Sequence, residues 1–99
     1  MGMDEDVVSL ETLEAIAVLK ASLEANPNQY EPHTQLIVLL KEAAMLEELR
    51  LAREAMSAAF PLSEELWIEW IEDESNMAIS EDEKKHVLDL YKRATSDYL

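Results

Sequence analysis

The stretch FPLSEELWIEWIEDESNMA, residues 60–78, decides the fold. Within it Trp67, Trp70, Ile71 and Glu74 stand at i, i+3, i+4 and i+7, the spacing that places four side chains on one face of an α-helix. Two indoles and an isoleucine on one face demand cover from other helices. Pro61 ends the preceding helix, Ser63 supplies an N-cap hydroxyl for an orphan backbone N–H, and Glu64 and Glu65 suit the positive end of the helix dipole. Aromatic residues at helical spacing beside Ile71 read as core rather than as a ligand pocket, because burying such side chains is worth a few kcal/mol each. Glu74 closes this stripe. A carboxylate buried alone is costly, so Glu74 is expected to pair with Arg93 or Arg53.

The rest of the chain fits that frame. It has 99 residues, 48% of them apolar, enough for one small core. One Gly and three Pro leave little turn chemistry for hairpins, and apolar residues recur at helical spacing, so the chain is expected to be all-α. Cysteine is absent, which removes disulfides and thiolate metal sites and fits a reducing compartment. The longest apolar run, Leu36 to Leu40, is too short to span a bilayer, so no membrane association is expected and the chain reads as soluble and intracellular.

Charge narrows the partners. Twenty-two acidic residues against eight basic ones give a formal charge of −14, the wrong field for neutralising phosphates, so direct nucleic-acid binding is not expected. Between Arg53 and Lys84 there are ten acidic residues and no basic one. That excess reads first as a solvated, solubilising face and second as a dock for a basic protein such as a histone.

In chain order, residues 1–8 read as a frayed or tag-derived start. Residues 9–29 hold an N-terminal helix, a cap or partial repeat, that runs from Ser9 to about Ala25 before Asn26-Pro27-Asn28 stops it. Ser9 or Asp6 caps it, and Leu10, Leu13, Ile16 or Ala17, Leu19 and Leu23 are its apolar positions. A second helix runs from Glu31 or Pro32 to about Ala44, with Leu36, Ile37, Leu40 and Ala44 on one face and Val38 and Leu39 broadening it. The third runs from Leu46 to Phe60, with Leu49, Ala52, Met56, Ala59 and Phe60 inward and Arg50 and Arg53 outward beside their glutamates. After the Trp-bearing helix, Ser80 and Glu83 spell a capping box. The fifth helix then carries Val87, Leu90, Tyr91, Ala94 and Tyr98 as an apolar stripe. These five residues are the candidate interaction surface, for a further repeat or for self-association.

Sliding the chain against itself by 34 residues aligns His33, Leu36, Ile37 and Leu40 with Trp67, Trp70, Ile71 and Glu74. At a shift of 35, Ala52, Met56 and Ala59 fall on Val87, Tyr91 and Ala94. A period near 34 made of two helices belongs to the tetratricopeptide class of arrays. The motif Trp67-x-x-Trp70-x-x-x-Glu74, followed by Tyr91-x-Arg93-Ala94, resembles the half-a-tetratricopeptide (HAT) repeat. Ala52-Arg53 and Ala59 keep its second-helix pattern in residues 30–61, with Met56 as the motif position aligned with Tyr91, while residues 62–99 form the second unit. The chain departs from the pattern at His33, Leu36, Ala58 and Leu88. The wording ARxxMSxxFPLxEELWxEW, with LYKRATSDY, is similar to the repeats of the nuclear U4/U6 snRNP recycling factor family.

That resemblance implies a right-handed antiparallel stack of about five helices, a nuclear location and a non-catalytic scaffold serving pre-mRNA splicing. It implies protein partners, namely snRNP components and ubiquitin-specific proteases, and no cofactor. The residues point the same way on catalysis. Glu69, Glu72, Asp73 and Glu74 follow one another around one helix and do not oppose each other across a cleft. No phosphate loop or nucleophile elbow is present. Glu83-x-x-His86 has the spacing of a bundle metal site but lacks the second half such a site requires, so a carboxylate metalloenzyme fragment is the weakest class.

Overall fold

The computed structural model describes residues 9–98, without the side chain of Tyr98, so the expectations for residues 1–8 and for the Tyr98 ring lie outside it. Five helices follow one another: α1 (Leu10–Ala25), α2 (Tyr30–Glu42), α3 (Leu46–Ala59), α4 (Glu64–Met77) and α5 (Glu81–Tyr98). No strand occurs among the described residues, as the helical spacing predicted. No helix among them is long and apolar enough to cross a membrane. The chain divides into two compact units at Phe60/Pro61, with α1, α2 and α3 in the first and α4 and α5 in the second.

In the first unit α2 packs against both α1 and α3. Its buried residues are Ile16 of α1, His33, Leu36, Ile37 and Leu40 of α2, and Leu49, Ala52, Arg53 and Met56 of α3. Ser9 caps α1 by accepting the Thr12 N–H at 3.1 Å. The turn into α2 is held by side chains: Gln29 Nε2 donates to Ser22 O at 3.0 Å and to Asn26 O at 2.9 Å. His33 Nε2 donates to Pro27 O at 2.7 Å, and Lys20 of α1 forms an ion pair with Glu48 of α3. His33 also meets Phe60 edge-to-face at 5.9 Å between centroids, as Tyr30 does at 5.5 Å. An imidazole thus fills the place where the repeat pattern puts an aromatic ring, and the departure at His33 leaves the buried stripe intact.

Arg53 is buried rather than outward, because it lies a turn from Leu49 and from Met56 on the inward face, where its aliphatic stem adds to the core. Leu10 and Leu13 are exposed, since the α1–α2 hairpin covers only the part of α1 around Ile16. Helix α2 stops at Glu42, short of Ala44.

The reason for that early stop is a Schellman turn. Met45 N donates to Leu40 O and Ala44 N to Lys41 O, each at 3.0 Å, which requires Ala44 to adopt a left-handed backbone with φ 56°. An L-residue with a Cβ is strained there and glycine is not. Ala44→Gly is therefore expected to stabilise the chain by about 0.5–1 kcal/mol, read as a higher urea midpoint at unchanged slope. A lower midpoint would show that the turn does not hold this conformation in solution.

The second unit is a helical hairpin with its own cap chemistry. Ser63 accepts the Leu66 N–H at 3.2 Å. Before α5 the capping box closes in both directions: Glu83 N donates to Ser80 Oγ at 3.1 Å, and Ser80 N and Ile79 N donate to Glu83 Oε1, each at 2.9 Å. The buried set is Leu62, Trp67, Trp70, Ile71 and Glu74, with Val87, Leu90 and Ala94 of α5.

Candidate functional site

The period of 34 carries through to packing in the first helix of each pair. His33, Leu36, Ile37 and Leu40 are buried, and so are Trp67, Trp70, Ile71 and Glu74 at the corresponding positions. The two indoles are 1% and 0% exposed and stack with centroids 5.1 Å apart and planes 8° from parallel. Arg93 of α5 lays its guanidinium over both rings, 5.5 Å from the Trp67 centroid and 5.2 Å from that of Trp70. A guanidinium on a desolvated ring face is a favourable electrostatic contact as well as a packing one.

Sequence reasoning missed the residue that completes this cluster. Asp97 Oδ2 accepts Trp67 Nε1–H at 2.9 Å and the Leu62 N–H at 3.1 Å, fixing one indole and the entry to α4 from the far end of α5. A charged acceptor makes both bonds stronger than neutral ones. The Trp70 Nε1 atom is buried with no hydrogen-bond partner among the described residues. The cluster holds the hairpin together, with both indoles buried in it.

In the second helix of each pair the stripe is shifted. Tyr91, matched with buried Met56 at a shift of 35, is 53% exposed, and the buried residue is Leu90, which lies 34 after Met56. One residue is about 100° of helix rotation, enough to turn Tyr91 out of the hairpin. Of the five residues set out as an interaction surface, Val87, Leu90 and Ala94 are buried and Tyr91 is exposed, with exposed Leu88 beside it on α5. Ala59 is half-buried.

Three further features complete the surface. Glu64, Glu65, Glu69 and Glu72 are exposed along α4. Among the grooves of the first unit, one of about 330 Å³ includes Leu23, Leu51 and Ala55 and contains the Lys20–Glu48 pair, and another, of about 630 Å³, lies between α1 and α2. No group of three metal-ligating side chains stands together among the described residues, and the Glu83 carboxylate is engaged by the cap of α5.

No family model matches the chain. Over 81 residues, 82% of its length, it is 43% identical to "Spliceosome associated factor 3, U4/U6 recycling protein" of Mus musculus and to that of Homo sapiens. The counterpart of Danio rerio is 40% identical over the same length. An all-α chain with a repeated buried stripe thus resembles a segment of a U4/U6 recycling protein, and it spans 8% of the length of the curated relatives it matches.

Proposed function

We propose that this chain is a non-catalytic, protein-binding scaffold segment of a nuclear RNA-processing factor that acts in U4/U6 snRNP assembly and recycling. The observation that carries the reading is the similarity over 81 residues to a U4/U6 recycling protein. Supporting it, the motif side chains Trp67, Trp70, Ile71 and Arg93 are spent on holding helices together, and exposed Leu88 and Tyr91 remain on α5 for contact. In a helical array each unit supplies part of an extended surface, so this segment contributes a portion of one. Its partners are proteins: snRNP components and ubiquitin-specific proteases, with self-association through the exposed face of α5 as a further contact.

A second reading is favoured by one observation, the exposed carboxylates of α4 in a chain of charge −14. They suit a dock for a basic protein such as a histone. The two readings separate in a pull-down from nuclear extract at low and moderate salt, using the chain and its Tyr91→Ser variant. Tyr91 is exposed, so the substitution is expected to change stability by less than about 0.5 kcal/mol. Scaffold function predicts salt-resistant recovery of U4/U6-particle proteins or a deubiquitinase that Tyr91→Ser abolishes. Salt-labile recovery of histones, indifferent to Tyr91, would establish the acidic dock instead.

A further inference from the structure

We propose that the groove between α1 and α2 is a docking site for an amphipathic helix of a partner protein, one whose aliphatic stripe is flanked by lysine and arginine. The inference deepens the scaffold reading by naming a partner chemistry, and it stands on a surface distinct from Tyr91. The floor and walls are aliphatic: Ala15, Val18 and Leu19 from α1, Val38 and Leu39 from α2. Val18 is 67% exposed and Val38 is 53% exposed, although their neighbours Ile16 and Ile37 are core. Helix α1 therefore carries apolar residues on two sides, and a helix of that kind is stable when covered on both.

Charge selects the occupant. Glu14 lines the groove, and no lysine or arginine does so among the described residues. By helical spacing Glu11 stands one turn before Glu14, Glu31 one turn before Thr34 and Gln35, and Glu42 one turn after Val38, and all of these carboxylates are exposed. Lys41, also one turn after Val38, is the one base that this spacing sets against those four acids among the described residues. The one lysine of α1, Lys20, is held by Glu48 of α3. An aliphatic trough bordered by acids is the complement of a helix presenting i, i+3, i+4 and i+7 anchors with basic residues at its margins. A second copy of this chain would bring the same acids to the same rim, and like charges facing each other oppose that pairing.

The test uses the whole chain and a labelled synthetic helical peptide of about five turns, Leu/Val on one face and Lys/Arg beside it, with a charge-reversed peptide in which Glu replaces the basic residues. Fluorescence anisotropy is expected to show saturable binding of the basic peptide that weakens with salt, and binding of the charge-reversed peptide at least about tenfold weaker. Val18→Gln and Val38→Gln are expected to weaken the basic peptide about tenfold each while leaving the thermal melt in place, since both positions are exposed and Gln is a good helix former. Equal binding of both peptides, or indifference to the two substitutions, overturns the proposal. So does concentration-dependent self-association that Val38→Gln removes, which would assign the groove to a second copy. Absence of peptide binding while nuclear partners are still recovered sinks the groove alone. Peptide binding that persists when those partners are not recovered supports the groove and sinks the splicing scaffold.

Discussion

Replacing Trp67 by Ala is expected to cost about 3–5 kcal/mol and to unfold the α4–α5 hairpin before the rest of the chain. Three separate interactions are lost with one side chain. The indole is 1% exposed, so the substitution opens a large cavity in a unit whose core is small. It also removes the stacked partner of Trp70 and one of the two ring faces under Arg93, leaving that guanidinium with half its platform. Finally, Asp97 loses its Trp67 Nε1–H donor and keeps the Leu62 N–H. Small domains have only about 5–15 kcal/mol in total, so a loss of this size is decisive. Trp67→Phe keeps an aromatic face and drops the hydrogen bond to a charged acceptor, so its cost should be smaller, about 1.5–3 kcal/mol. Urea unfolding followed by far-UV circular dichroism orders the two variants. A Trp67→Ala protein that unfolds at the parent midpoint would mean that the indole pair is a recognition surface and not core.

How far the sequence reveals this arrangement depends on the range of each interaction. Caps are local, so Ser9, Ser63 and the Ser80/Glu83 box are readable from neighbouring letters, and the structure places their hydrogen bonds as expected. The burial of Trp67, Trp70, Ile71 and Glu74 follows from helical spacing alone, and so does that of Leu36, Ile37 and Leu40. What escapes is set by partners distant in the chain. Asp97 looks like one more surface acid until an indole 30 residues earlier donates to it. The charge of Arg53 points it to solvent, whereas its place between Leu49 and Met56 decides its burial. Tyr91 illustrates a third limit. Its aromatic character matches the repeat pattern, but the rotation of α5 about its own axis is set by Val87, Leu90 and Ala94 packing together, and a one-residue shift turns the ring outward.

The carboxylate at the end of the Trp stripe gives the second large effect: Glu74→Ala is expected to cost about 3–5 kcal/mol, as removal of one member of a buried ion pair does. Glu74 is buried beside Trp70 and Ile71, on the face that a helix of this register turns inward. A carboxylate in that position is tolerated only if a cation or several hydrogen-bond donors reach it. Arg93 is the candidate arginine that belongs to this hairpin. Its guanidinium lies over the Trp70 ring, and Glu74 follows Trp70 by one helical turn. The pairing is tested by a double-mutant cycle on Glu74→Gln and Arg93→Met, which keeps side-chain volume and removes charge. Coupling above about 1 kcal/mol is expected, because residues sharing one buried network are not additive. Additive costs would exclude Arg93 as the partner. A Glu74→Gln protein as stable as the parent would remove the ion pair altogether and reduce Glu74 to a polar residue satisfied by neutral hydrogen bonds. An ion pair there would fix the register of α4 against α5, because a buried charge accepts few alternative partners, whereas neutral hydrogen bonds would leave that register to the packing of Trp70, Ile71 and Leu90.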